Sequence, residues 1–255
     1  KRDAQESRGL GDVYKRQYIF DGCFSNEGGL CLTFKTYLST FFFCFFTWLI
    51  TLVLGFCVAY FLAFYVNSIP LQVCLFLVCT IPFWTSNVIR MVSWIPLLGR
   101  NGLVNEFFLS LGITDQPIEW LLYSSFSVIL ALVHLYTLFM IVPIFNSMIR
   151  IDRSIVEAAY DAGASHIQII FNIIIPLSKT GIIIGSIFVV TVVMGDFLTI
   201  GIMGGQQLAS VGKIINTEMN YLQFPGAAAN AVILLIITIF IIYVMTKFVD
   251  IRKEL

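Results

Sequence analysis

Charge is the scarcest commodity in this chain. Only 12% of its 255 residues are Asp, Glu, Lys or Arg, against roughly 25% in soluble domains. The net charge is zero, so no basic surface recommends nucleic acid as a partner. His134 and His166 are the two histidines, and neither has a Cys or His at ligand spacing, which leaves no legible metal centre or histidine-activated nucleophile. The cysteines at 23, 31, 44, 57, 74 and 79 follow no metal-binding pattern. Four of them sit in apolar runs, where cysteine behaves as a small hydrophobe; a Cys23–Cys31 pair in an oxidising compartment stays open. No Gly-x-x-x-x-Gly-Lys-Ser/Thr occurs, because Gly212-Lys213 lacks the first glycine and runs into Ile214. The chain therefore has no phosphate cradle for ATP. With no Ser/His/Asp set or paired carboxylates either, no enzyme is read and no cofactor is expected.

What is abundant is apolar sequence, at 58% hydrophobic residues. Runs long enough to cross a ~30 Å hydrocarbon core at 1.5 Å per residue are expected at 41–66, 71–94, 123–148, 177–200 and 227–245. Pro82 interrupts the second, which carries Arg90 near one end, and Pro143 should kink the third. Phe107 to Leu111 reads as a short interfacial helix. The fold class is an all-α membrane protein, a polytopic helix bundle. Its transmembrane domain covers 41–247 with a loop at 150–175, preceded by an external segment at 18–40 and followed by a tail at 248–255. Residues 1–17 are set apart: the chain opens on Lys1, and Asp12-Val-Tyr-Lys-Arg-Gln17 looks like a reading frame of the transposon end used in preparing sequencing libraries. They are either such a scar or a real basic tail. Without them ten basic and twelve acidic residues remain, a net charge of −2.

Basic residues orient the bundle. Arg150 and Arg153 flank the 150–175 loop, and Lys247, Arg252 and Lys253 follow the last span, so both regions should be cytoplasmic. Counting back puts residues 18–40 outside. That start is awkward to insert, and a first span is expected upstream of Tyr18, as about 20 further apolar residues in frame.

The stretch Ser154 to Pro176 is the longest amphipathic, charge-bearing segment. Ser154 with Glu157 reads as a capping box that starts a helix. Gly163 falls where a helix ends in positive φ, and Ser165 with Gln168 repeats the box for a second helix. Pro176 opens the next apolar run, where a first-turn proline costs no hydrogen bond. The local reading is helix, glycine elbow, helix, between two spans.

Glu157-Ala158-Ala159, then Gly163, then Ile173-Ile-Ile175-Pro176 resembles the EAA loop of ATP-binding-cassette importer permeases. The family's usual ending is I-x-L-P, and Ile175 in place of Leu keeps size and apolarity. The resemblance extends to Ile81-Pro-Phe-Trp-Thr-Ser86, Arg90, Asn101-Gly-Leu-Val-Asn105, Leu111-Gly-Ile-Thr-Asp115, Gly195-Asp-Phe197 and Gly204-Gly205, which are similar to spermidine/putrescine importer permeases. These flanking motifs recur in relatives with other cargo, such as amino-acid derivatives, thiamine or iron. The resemblance implies a bacterial cytoplasmic-membrane permease that works by alternating access. It implies as partners an ATP-binding subunit in two copies, a second permease subunit and an extracytoplasmic solute-binding protein. In such a permease Glu157, Ala158, Ala159, Gly163 and Pro176 would form the coupling loop that docks on the ATPase.

One acid stands deep in an apolar run. Asp196 facing lipid would cost several kcal/mol, so it should face the bundle interior or a wet cavity. It reads either as a counter-charge on a cation's path or as a helix-end hydrogen-bonding group. Trp84 beside Phe83 is either a cation–π face or a packing residue. Arg90 is expected to snorkel to the outer interface, and Gly181 with Gly185 to permit close helix contact.

Overall fold

The computed structural model describes residues 32–114, 116–205 and 207–247, and their regular structure is entirely helical. Residues 1–31 and 248–255, with the expected scar, the Cys23–Cys31 pair and the tail, lie outside the described residues. Helix α1 (Leu32–Tyr60) ends in a wide π turn over Phe61–Tyr65. It begins well before the expected boundary at 41, so the last part of the presumed external segment is helical. Hydroxyls explain the shift: Thr40 donates to the Thr36 carbonyl at 2.8 Å and Thr51 to Thr47 at 2.8 Å, so these polar residues satisfy themselves within the helix.

The expected span at 71–94 is not one straight helix. Helix α2 (Ile69–Thr80) passes into a 3₁₀ turn over Ile81–Trp84, Thr85 turns extended, and α3 (Asn87–Val92) leaves at about a right angle. Pro82 supplies no N–H to continue the α ladder, which is where the helix tightens and stops. Two short helices, α4 (Ile95–Leu98) and α5 (Leu103–Ser110), continue this arm. The loop they carry is pinned by Asn105, which is 1% exposed. Its amide donates to Gly99 and Ile118 carbonyls at 2.9 and 3.2 Å, and its oxygen accepts the Ile118 N–H at 2.8 Å.

Helix α6 (Ser125–Met148) is the central post. Ser124 and Ser127 exchange side-chain and backbone hydrogen bonds to cap its start, and it stays one helix through Pro143. It packs against α1 and α9 (Lys179–Gly195), and α1 and α9 also touch each other. Between α6 and α9 lie α7 (Arg153–Asp161) and α8 (His166–Leu177). Beyond α9 come α10 (Leu198–Met203), α11 (Val211–Asn220) and α12 (Phe224–Lys247), the last two forming a hairpin. By length and apolarity Phe34–Tyr65, Ser125–Met148 and Phe224–Lys247 each suffice to cross a membrane, and five crossings result if each of two bent pairs counts as one. The expected fourth span at 177–200 is the second of those pairs. His166–Leu177 and Lys179–Gly195 meet at 70°, and the helix ends at Gly195 rather than 200.

Small residues set the α6–α9 spacing, as small-xxx-small pairs do where lipid supplies no hydrophobic drive. A Cβ on Gly181 would run into the Pro143 carbonyl oxygen, whereas one on Gly185 would meet the Met140 sulfur at 2.8 Å. The first obstacle is backbone and the second a flexible side chain. Gly181→Ala should therefore destabilise the protein by about 1–3 kcal/mol and Gly185→Ala by less, because overpacking costs most where nothing can move aside. Unfolding in detergent of both variants checks the order, and Gly185→Ala proving the more damaging would refute this account of the contact.

Candidate functional site: the elbow and the Asp196 junction

The first site is the α7–α8 elbow. Helix α7 starts one residue before Ser154, because Asp152 caps it: its carboxylate accepts the Ser154 N–H at 3.0 Å. The expected Ser154–Glu157 box is thereby displaced, Ser154 lying already inside the helix and Glu157 standing exposed on it. The Ser154 N–H and hydroxyl hold the Asp152 carboxyl below its usual range. A depressed carboxyl contributes stability above its unfolded pKa and loses it as pH falls through the folded value, so this cap persists to mildly acid pH.

At the other end the backbone closes a Schellman motif. Gly163 donates to Tyr160 at 2.9 Å and Ala164 to Ala159 at 3.0 Å, with Gly163 at φ +84°, the left-handed geometry this cap requires. The second box forms as expected, Ser165 N–H donating to Gln168 Oε1 at 2.8 Å and Gln168 N–H to Ser165 Oγ at 3.4 Å. Across the elbow the Tyr160 hydroxyl bonds His166 Nδ1, with the rings edge to face at 5.0 Å. The sequence reading left His166 without a partner, and only the glycine turn brings Tyr160 to it.

Ala158 lies exposed with Glu157, while Ala159 turns toward the bundle. Ile155, Ile167 and Phe171 also lie exposed on the pair. Pro176 follows a π turn at Ile170–Ile174 and precedes the bend at Ser178. Lacking an N–H for the Asn172 carbonyl, proline leaves a widened turn there, and π turns and prolines are the usual sources of sharp kinks. The buried Ser178 hydroxyl accommodates the bend by donating to the Ile174 carbonyl at 2.6 Å.

The second site is the junction at Asp196, 9% exposed. Extended backbone at Asp196 ends α9, and its carboxylate starts α10 by accepting the Thr199 N–H at 2.9 Å. The Thr199 hydroxyl donates to its other oxygen at 2.6 Å, and so does the Tyr136 hydroxyl of α6 at 2.6 Å. The Ser210 hydroxyl, at the cap of α11, donates to the Asp196 carbonyl at 3.4 Å. Next to it the Val211 N–H donates to Thr40 of α1 at 3.0 Å. The expected interior placement holds, and the helix-end role is present in full. All the carboxylate's partners are neutral, however, and among the described residues no basic nitrogen comes within ion-pair reach of it.

Phe83 touches this neighbourhood through an aromatic relay. It meets Phe139 edge to face at 5.4 Å, and Phe139 meets Tyr136 at 6.1 Å and Phe188 at 6.4 Å. Trp84 does not join: it is 85% exposed, so it is no packing residue within this chain. Arg90 departs from expectation too, being 8% exposed and bonded to Asn87 rather than reaching an interface. Asn87 stands one helical turn earlier, within reach of the guanidinium. His134 receives the Trp94 indole N–H at 3.1 Å, a pairing made only by the bend between α2 and α3.

Over residues 33–254 the chain matches the family described as the binding-protein-dependent transport system inner membrane component. It belongs to that family. It is accordingly a membrane permease component of a transport system and not an enzyme. The spermidine/putrescine transport system permease protein PotB of Escherichia coli is 37% identical over 188 residues, 73% of this chain and 67% of that protein. PotB of Haemophilus influenzae is 34% identical over 185 residues, 71% and 64% of the two chains. The osmoprotective compounds uptake permease protein GgtC of Synechocystis is 31% identical over 144 residues, 54% and 51%. The chain thus spans about two thirds of the length of the PotB proteins it matches.

Tyr136→Phe and Thr199→Val each remove one hydrogen bond to the same carboxylate. Each should cost about 1 kcal/mol, the scale of interhelical polar contacts in membranes. The double variant should fall short of the sum or exceed it, since bonds sharing an acceptor are coupled. Chemical unfolding in detergent measures this, and strict additivity would argue against a shared junction.

Proposed function

We propose that this chain is a permease of an ATP-driven importer whose cargo is a polyamine of the spermidine/putrescine class. The observation that carries the cargo is Asp196, a buried carboxylate met only by neutral donors and lying behind an aromatic wall. Such a carboxylate, bonded by hydroxyl and amide donors and by no basic side chain, suits a cation on the path beside it. Phe83, with the exposed indole of Trp84 next to it, supplies the ring faces that attract ammonium groups. The names of the PotB relatives support the same cargo, and do so over more of the chain than the osmoprotectant permease does.

The energy comes from elsewhere. A separate ATP-binding subunit, in two copies, docks on the elbow, with Glu157 and Ala158 on the docking face. Gly163 sets the angle between α7 and α8, and Pro176 sets the start of the bend into α9. A second permease subunit completes the path, and a solute-binding protein delivers cargo on the outer side. The elbow and the C-terminus face the cytoplasm, in keeping with Arg150, Arg153 and Lys247. Access alternates as helix bundles rock about the central site.

Reconstituted with its partners, the complex should hydrolyse ATP faster when binding protein loaded with spermidine or putrescine is added. Asp196→Asn should lower that stimulation and uptake several-fold while Tyr136→Phe largely keeps both, because only the former removes charge. Equal uptake by Asp196→Asn and wild type would confine Asp196 to its helix-end role. Gly163→Val forces a β-branched residue into positive φ at about 1 kcal/mol or more. With Glu157→Ala it should weaken ATPase co-purification or uncouple hydrolysis from uptake. Full docking and transport by both variants would remove the elbow from the coupling role.

A further inference from the structure

The end of α1 is finished by a side chain from the elbow. Arg153, the first residue of α7, sends one guanidinium nitrogen to the Asn67 side-chain oxygen and the other to the Ala63 and Val66 carbonyls at 3.2 and 3.4 Å. Those carbonyls belong to the terminal turn of α1, where a helix leaves acceptors without partners of its own. The negative end of the helix dipole lies there as well, which suits a cation. Gln72 of α2 takes the neighbouring Leu62 carbonyl at 2.7 Å, so side chains of two other elements meet carbonyls at this end of α1. A planar fork reaching several acceptors is a geometry that arginine makes and lysine cannot.

The bond also completes a mechanical pattern. The elbow is continuous with α6 through Ile149–Asp152 and with α9 through Ser178. Helix α1 is the remaining member of the α1–α6–α9 core, and Arg153 is its bonded link to α7. We propose that Arg153 is a positioning residue for transport, a strut that makes α1 move with the elbow when the ATPase pulls on it. This rests on the elbow being the ATPase docking element. The Asn67 turn and the elbow are thereby held on the same face of the bundle, and a load on α7 reaches all three core helices at once.

The test uses the complete reconstituted transporter and three variants, Arg153→Met, Arg153→Lys and Asn67→Ala. Two quantities are measured for each: the amount of ATPase subunit that co-purifies, and solute moved per ATP hydrolysed. Docking should stay at the wild-type level in all three. Transport per ATP should fall by about fivefold or more in Arg153→Met, the low end of coupling between sites. It should fall less in Arg153→Lys, which keeps one bond to the carbonyls, and least in Asn67→Ala, which loses a single acceptor. A wild-type ratio in Arg153→Met overturns the strut. Loss of docking in parallel with transport also overturns it, by making Arg153 part of the docking face. Should Arg153→Met fail to accumulate in membranes, the ordering of the other two against wild type decides the matter, and no difference among them counts against the proposal. Failure of the elbow reading itself would look different, with Gly163→Val and Glu157→Ala leaving both docking and transport intact.

Discussion

Every helix break in this bundle has to be made without stranding a backbone N–H or C=O in an apolar medium, and the rest of the structure follows from how that is done. A bilayer offers no water to rescue an orphaned group. The chain nevertheless breaks helices at Thr85, Ser178 and Asp196. Each break carries its own donor or acceptor. Asp196 takes the Thr199 N–H of α10 and Ser178 returns its hydroxyl to the Ile174 carbonyl, while the exposed Gly163 turn closes on Tyr160 and Ala159. At the end of α1 the guanidinium of Arg153 does the same for free carbonyls.

Under the proposed function these solutions double as the functional features. A carboxylate is a strong acceptor for capping α10, and the same group takes the Tyr136 hydroxyl of α6. The glycine that ends α7 also fixes the angle at which α8 departs. The proline after the widened turn lies at the bend where α8 meets α9. The proposed transport roles therefore fall on residues with structural ones, and experiments that distinguish charge from hydrogen bonding or docking from stoichiometry separate the two.

Close packing supplies the complementary requirement. Gly181 lets α9 approach the Pro143 carbonyl of α6, and the buried faces of α1, α6 and α9 then lock around Met140, Ile144 and Met194. Helix α12 stays largely uncovered, so the packed core is the group of α1, α6 and α9. Local contacts cap each helix, and long-range contacts through Tyr136, Thr40 and Arg153 tie the helices together.

Much of this was legible from residue order alone. Long apolar runs with few charges determine a helical membrane protein, because nothing else satisfies the backbone there. Gly163 and the Ser165–Gln168 box were readable as well, since caps depend on spacing within a few residues. So was the family, from Glu157 to Pro176. Other features depended on the tertiary structure. Whether Ser154 or Asp152 caps α7 was a contest between two nearby acceptors that sequence spacing does not rank. The right-angle turn after Trp84, the burial of Arg90 and the pairing of His134 with Trp94 all depend on where distant helices lie. The same holds for the hydrogen bond from Tyr136 to Asp196, sixty residues apart, and for the grip of Arg153 on α1. Hydropathy marks which segments are buried in the membrane, but only packing chooses which polar groups meet inside it.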